Sequence, residues 1–436
     1  MPPLLKLFID FAEKQGITGN AFIVGGAVRD ILLGKELKDI DIAVTGDAIN
    51  IAKKFAQEIN GSFVLLDKEF GIAHIVKNSQ FIDISILRGD SIHSDLSERD
   101  ITINAMAIPL KNSDKLQVTG DKLKDKNSLL ATRYSLLNII DPYNGFYDLT
   151  HKIITMVSEE NLIKDPLRIL RVYRFAASLN FSIEEDTLSA AERLAPLITS
   201  VAVERIAEEL RYIVRLDDSY KTMKAMMDNR ILAYIFPEIR INSLRLYKNT
   251  EEILSTPSDN LQLSAFSLQP LIKYFETDYR KICLKLSTLF PDPDSAKQSA
   301  IRLKMSSKEV EFIHEMVLNR AKILDSYKKM QGMADETEII GLLKEFRDDI
   351  YPLIILATAQ GPSIAAFCKE IISLYDNVFK PRAALLPIIT GDDLIREFNI
   401  KPSPLFKKML DNIEDMVLEG KITSKEEALK IANKML

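Results

Sequence analysis

Hydrophobic positions recur in two different rhythms along this chain, and the rhythm changes near residue 159. Before that point, short runs with period two alternate with runs of period three and four, the mark of strands interleaved with helices. The pattern predicts strands at Phe22–Val24, Asp41–Val44, Ser62–Leu66, Ala73–Val76 and Phe81–Ile86, with helices at Ala27–Leu33 and Ala48–Ile59. Beyond it, spacing of three and four recurs in Leu167–Leu179, Leu188–Leu194, Val203–Val214 and Tyr220–Met227, which predicts helices almost without interruption. The opening MPPLLKLFIDFAEKQG reads as an amphipathic helix, too polar for a secretory leader. Polar stretches at Lys111–Asn127 and Lys248–Asp259 read as connections. Breaks at Phe290–Asp294 and turns at Pro381, Pro387, Pro402 and Pro404 divide the later helices. The expected fold class is α+β, a small head with a mixed sheet followed by an all-helical remainder.

Candidate chemistry concentrates in FIVGGAVRDILLGKELKDIDIAV, residues 22–44. A short apolar strand runs into Gly25-Gly26, a helix start follows with Arg29 and Asp30, and a second strand carries Asp39 and Asp41. Carboxylates at i and i+2 of a strand project from one face, because side chains alternate with period two. Paired hard oxygen ligands suit Mg²⁺, which completes its shell with water and phosphate. Gly25 and Gly26 let the backbone approach an anion, and the N–H groups of the following helix start attract phosphate. The combination points to a nucleoside triphosphate; the plainer alternative is a strand–turn–helix with incidental surface acids.

Four other stretches add to this. Asp83, in FIDISI, is a candidate third carboxylate that either binds metal or serves as the base for an attacking hydroxyl. In ERDITINAMA, charged residues give way to an apolar run without a turn, and Arg99 is placed to pair with phosphate oxygens. In IKDPLRILRVYRF, Pro166 suits the first turn of a helix with Asp165 as its cap. Arg168, Arg171 and Arg174 recur every third residue; crowded by apolar neighbours, they are expected to line a cleft between head and helices. VERIAEEL fits either a second functional helix or a surface helix with intrahelical ion pairs. Arg88-Gly89-Asp90 reads as a plain turn.

Composition narrows the class. The chain has 436 residues, 47% hydrophobic and 27% charged, enough for several packed units. Cys283 and Cys368 lie far apart in apolar helical patterns and read as buried reduced thiols. No apolar run reaches membrane-spanning length, so a reducing, cytoplasmic setting is expected. A net charge of −5 argues against indiscriminate nucleic-acid binding and leaves room for a local basic patch.

Five blocks together carry a resemblance: VGGAVRD…DID at 24–41, ERDITINAMAI at 98–108, DPYNGFYDL at 141–149, KDPLRILRVYRFA at 164–176 and ERIAEEL at 204–210. In this order the chain resembles the class II tRNA nucleotidyltransferases, the family of CCA-adding enzymes and bacterial poly(A) polymerases. The resemblance implies a polymerase-β-like nucleotidyltransferase head at 1–150 and a nucleotide-selecting neck at 151–230. A helical body at 231–335 and an RNA-holding tail at 336–436 would follow. It implies catalysis at Asp39 and Asp41, with Mg²⁺ on both, and Asp83 joins them as the candidate third carboxylate read from its strand. Nucleotide binding falls to Gly25, Gly26, Arg29, Arg99, Asp100, Asn104, Asp165, Arg168, Arg171 and Arg174. The implied partners are the 3′ acceptor end of tRNA, with CTP and ATP as substrates. An Asp165–Arg168 pair fits this independently: an acceptor beside donors matches the amino group and ring nitrogen of cytosine or adenine, and leaves guanine and uracil unpaired. Poly(A) synthesis, partial CC or A addition, and a catalytically silent RNA-binding protein are the alternatives.

Three departures from the family pattern stand out. Lys164 occupies a place where Glu is usual, and that Glu is expected to orient the neighbouring arginine. Only about fifteen residues join Asp83 to Arg99, where many relatives carry a longer loop associated with the switch to adding A. The block Leu284–Asp292 resembles the place of a metal-dependent His-Asp domain in some relatives, yet the four histidines, His74, His93, His151 and His314, are scattered. It reads as a helical body of that ancestry without its metal site. The final segment resembles the tail of such relatives, with Ser403 where Gly is common.

Overall fold

In the computed structural model the described residues are 1–37, 39–68, 71–111, 133–135, 137–239, 243–255, 275, 278–330, 335–346, 349–401 and 404–436. The polar segment at 112–127 and Ser403 lie outside them. The chain forms two compact units, residues 1–216 with 221–235, and residues 217–220 with 236–436.

The first unit begins with helix α1 (Pro3–Lys14), followed by β1 (Ala21–Val24), α2 (Gly26–Leu33), β2 (Asp39–Val44) and α3 (Ala48–Glu58). Strands β3 (Ser62–Asp67), β4 (Ile72–Lys77) and β5 (Gln80–Ile86), helix α4 (Ile92–Ser97) and β6 (Ala107–Pro109) complete the head. The sheet order is β3-β4-β5-β2-β1-β6, with β2 and β5 parallel and all other neighbours antiparallel. Alternation divides its faces. Ile23, Ile40, Ile42, Ala73, Ile75, Ile82 and Ile84 enter one core together with Leu4, Phe8, Phe11, Val28, Leu32 and Phe55. Phe8 meets Phe55 edge-on with ring centroids 5.0 Å apart. Burying one such side chain contributes on the order of 2 kcal/mol, so this core holds the helices against the sheet. Asp39, Asp41, Asp83 and His74 are out of phase with it and belong to the opposite face, where a smaller core of Val24, Ala43, Leu87, Ile92, Leu96, Ala105 and Ala107 lies.

One expectation about the head needs correction. The run after Asp100 does turn: Thr102–Asn104 forms a 3₁₀ turn before β6. The 141–149 block serves as a turn and helix start; Asp141 accepts hydrogen bonds from the N–H groups of Gly145 and Phe146 at 2.7 and 2.9 Å.

The same unit continues through α5 (Gly145–His151), α6 (Glu159–Lys164), α7 (Leu167–Leu179), α8 (Glu185–Leu194) and α9 (Val203–Arg215). Asp165 does not cap α7. The helix enters through Pro166 without a side-chain cap, and Asp165 closes α6 instead.

The second unit is helical among its described residues. The stretch 248–259, expected as a connection, is helical as far as Ser255, within Ser243–Ser255. Its buried face carries Tyr247, Thr250 and Glu251 as well as Leu244 and Ile253. Glu251 accepts hydrogen bonds from the N–H groups of Ser219 and Tyr220 at 2.9 and 2.8 Å and pairs with fully buried Lys285 at 2.5 Å. The break at 290–294 is real: Asp292 caps a helix that starts with Pro293. Pro381 marks no turn, because it lies in Lys380–Ala383, joined to Pro362–Leu374 by a π turn at Tyr375–Phe379. A proline lacks the N–H that continues a regular ladder, and a widened turn accommodates the missing bond. Among the described residues no helix is long and apolar enough to cross a membrane.

Candidate active site

A cavity of about 490 Å³ opens in the first unit. The end of β1 and start of α2 form one side of it, Asp39 and Asp41 on β2 the floor, and α7 the facing wall. The lining includes Gly26, Arg29, Asp39, Asp41, Arg99, Asp100, Asn104, Asp165, Arg168, Arg171 and Arg174. Of the residues expected at the site, Gly25 is outside this lining, and Asp83 opens into a second cavity of about 940 Å³ that shares Asp41 and Arg99.

The glycine requirement is explicit at Gly25. Its φ is +69°, and a Cβ there would meet Arg99 Nη1 at 3.2 Å and an Asp41 carboxylate oxygen at 3.4 Å. A side chain would cost both backbone strain and the close approach.

The arginines are held by acids, each in a different way. Arg29 is clamped by Asp30 at 3.0 and 3.1 Å and by Asn104 Oδ1 at 2.8 Å. Arg99 donates twice to Asp95 Oδ2, at 3.1 and 2.7 Å, while Asp95 Oδ1 accepts from the Arg88 N–H at 3.0 Å. Arg171 lies 2.6 Å from Asp100, and Arg174 lies 2.6 Å from Glu209 of α9. The guanidinium groups of Arg29, Arg171 and Arg174 surround the Phe175 ring at 5.4, 5.3 and 4.2 Å from its centroid. Cation–π contacts of this kind fix a planar fork without using its N–H donors.

Asp100 is 6% exposed, and Ile101 N–H, Asn104 Nδ2 and Arg171 surround its carboxylate. Burial pushes its pKa up, but the Arg171 charge and these hydrogen bonds win, and it falls below the usual range. Arg171 is shifted the other way: burial lowers its pKa and Asp100 more than restores it. Asp41 is different. Burial, with Asp83 and Asp39 adding their charge and Arg99 only partly opposing, lifts its pKa to about 6.

Asp39 and Asp41 offer paired carboxylate oxygens, with the Asp83 charge beside Asp41, a donor chemistry that fits a hard divalent cation. Among the described residues no three side chains close around one metal position. A cation held here would therefore take the rest of its shell from substrate and water.

Asp165 and Arg168 face each other across 3.9 Å, and Asp165 Oδ2 also accepts from Arg205 of α9 at 3.0 Å. Arg168 donates to the Arg99 carbonyl at 3.2 Å, and burial lowers its pKa. The VERIAEEL helix thus sends Arg205 and Glu209 into partnerships with α7 and its entry. Lys164 binds Glu98, at 2.9 and 3.2 Å.

His74, Asp95, Asn161, Phe175 and Glu209 were not singled out in the sequence. Asn161 is buried and donates both amide hydrogens, to the Ser97 and Arg99 carbonyls at 2.7 and 2.8 Å. Phe175 and Glu209 lay inside recognised blocks; His74 and Asn161 had no signal beyond polarity within an apolar pattern.

Comparisons with known proteins identify the family. Residues 21–155 match the poly(A) polymerase head domain, 180–241 the RNA and SrmB-binding site of polymerase A, and 275–432 the tRNA nucleotidyltransferase domain 2. The CC-adding tRNA nucleotidyltransferase of Synechocystis is 30% identical over 422 residues, covering 95% of this chain and 94% of that protein. The A-adding enzyme of Halalkalibacterium halodurans is 26% identical, covering 98% and 91%. The Thermotoga maritima CCA-adding enzyme complexed with tRNA shares the fold, with TM-score 0.71 and 24% identity over 100% of this chain and 96% of that one. The end-to-end match to the Synechocystis protein and the ordered domain matches place the chain in the tRNA nucleotidyltransferase family of CCA-adding enzymes.

Proposed function

We propose that this enzyme adds cytidine to the 3′ end of tRNA, building the CC part of the CCA end from CTP, with Mg²⁺ as its ion. The observation that carries the reading is the single cavity in which Asp39 and Asp41 face Arg29, Arg99, Arg168, Arg171 and Arg174. The N–H groups at the start of α2, with Arg29 and Arg99, bind the triphosphate. Asp165 and Arg168 read the base edge, and Arg205 fixes the Asp165 carboxylate for that purpose. Asp100, surrounded by protein donors, acts by holding Arg171. Asp39 and Asp41 would hold Mg²⁺, which when bound supplies charge stabilisation for the transferred phosphate and the departing pyrophosphate. Asp83 takes the proton of the primer hydroxyl. The body and tail, residues 231–335 and 336–436, hold the RNA, and a cytoplasmic setting suits that substrate.

Partial synthesis is supported by the connection from β5 to Arg99. It consists of a tight turn and α4, and buried Asp95 ties its two ends, the Arg88 N–H and the Arg99 side chain, together. A segment anchored in this way has little freedom to follow a growing 3′ end. The choice of CC over A follows the Synechocystis relative.

The test is product mapping on tRNA lacking CCA, ending in one C, or lacking only the final A, with CTP and ATP separately and mixed. Two cytidines added and no adenosine is the expected outcome. A complete CCA end made by this protein alone overturns partial synthesis, long adenosine tails favour poly(A) polymerase, and no incorporation overturns the enzymatic reading.

A further inference from the structure

We propose that His74 is a positioning residue for the transfer step, holding Asp83 in the orientation in which it meets the primer hydroxyl. The proposal rests on the reading of Asp83 as the group that takes that proton. Sheet register sets up the relationship. Asp41 on β2 stands opposite Asp83 on β5 in the parallel pair, and Asp83 stands opposite His74 on β4 in the antiparallel pair. The three side chains therefore form one row on the face turned away from the main core.

His74 Nδ1 lies 2.5 Å from Asp83 Oδ1. Through its Nδ1–H the imidazole donates a charge-assisted hydrogen bond, a contact of the stronger kind. Among the described residues no other side chain donates to Asp83, so His74 alone sets which way its carboxylate turns. Oδ2 then remains for a hydroxyl entering the cavity of about 940 Å³ that Asp83 lines beside Asp41. The imidazole is itself braced. Its ring lies against Phe81, the residue two before Asp83 on the same strand face, with centroids 5.0 Å apart and planes at 39°. An aspartate in a partly open cavity otherwise samples several rotamers, and a base displaced by about 1 Å loses up to a hundredfold in rate.

A bare cross-strand pair would only support the sheet, and the two roles make different predictions. The experiment uses the full-length protein, tRNA lacking CCA, and saturating CTP and Mg²⁺. His74→Leu keeps the packing on Phe81 and removes the donor. His74→Asn places an N–H donor near the Nδ1 position. His74→Leu is expected to lower kcat about tenfold while leaving the KM for CTP and the melting temperature unchanged, and His74→Asn to recover most of the rate. In an Asp83→Asn background, adding His74→Leu is expected to cost nothing further, since the two residues act as one unit.

Three results overturn the inference. Wild-type kcat in His74→Leu, with Asp83→Asn impaired, removes the role of His74 and leaves the proposed function standing. Equal slowing by His74→Leu in both backgrounds shows that His74 does not act through Asp83. Wild-type kcat in Asp83→Asn removes both this inference and the role proposed for Asp83.

Discussion

The Lys164 ammonium lies 2.9 Å from Glu98 and closes an ion pair between the residue before Arg99 and the residue before Asp165. Lys164 thus bridges two segments that line the cavity, where the family resemblance led to an orienting role toward Arg168. The side chains are 59% and 39% exposed, so the pair itself contributes at most about 1 kcal/mol to stability. Its consequence is geometric. Restoring Glu at 164 would put like charges together, so Lys164→Glu should lower kcat/KM for CTP several-fold instead of sharpening selection. The charge-swapped double variant Glu98→Lys with Lys164→Glu should recover it. Steady-state kinetics on the two single variants and the double variant check this; additive damage would show that the pair is unimportant.

Nucleotide choice should follow the Asp165–Arg168 pair and its support from Arg205. Arg168→Ala is expected to slow CTP use and to relax discrimination against UTP and GTP, because the mismatched edges no longer leave buried groups unpaired. Arg205→Ala should have a weaker effect of the same kind, since Asp165 keeps Arg168 nearby. Incorporation of each nucleotide by the folded variants is the measurement, and unchanged preference in Arg168→Ala would rule out a reading role.

Asp39→Ala and Asp41→Ala should each reduce kcat by about a thousandfold or more, with the fold preserved by circular dichroism. Turnover within about tenfold of the wild type at saturating Mg²⁺ would contradict their assignment as metal ligands.

The Asp41 pKa of about 6 links pH to both stability and metal binding. The folded value is raised above the ordinary 3.8, so protonated Asp41 is the form that the metal-free fold prefers. That stabilisation is fully present below about 3.8 and is lost as pH rises through about 6, amounting to about 3 kcal/mol. Asp41→Asn, which mimics the protonated form, should raise the melting temperature of the metal-free protein at pH 8 while abolishing activity. Mg²⁺ affinity of the wild type should fall about tenfold for each pH unit below about 6. Calorimetry in two buffers of different ionisation enthalpy would detect the released proton.

Gly145→Ala tests whether the 141–149 block is structural. A Cβ at Gly145 would lie 2.3 Å from the Thr102 carbonyl oxygen, a backbone atom that cannot rotate away. The expected loss is about 1–3 kcal/mol of stability, measured by chemical denaturation, with little change in nucleotide preference among the molecules that remain folded.

The sequence by itself determined what depends on near neighbours. Period two in DIDIAV puts Asp39 and Asp41 on one strand face, spacing of three in α7 puts Arg168, Arg171 and Arg174 on one side of a helix, and all five line one cavity. Both follow from backbone geometry over a few residues. Partnerships were beyond its reach. Glu209 with Arg174, Arg205 with Asp165, Glu98 with Lys164 and His74 with Asp83 join residues that only packing or strand register brings together. The helix at Ser243–Ser255 was hidden for a related reason. Its buried face carries Thr250 and Glu251, polar residues that look solvent-facing until Ser219, Tyr220 and Lys285 are seen to satisfy Glu251. A buried polar group is tolerated only with its partners in place, and those partners come from elsewhere in the chain. Tertiary structure therefore decided which charges are free to meet substrate and which are already engaged by protein.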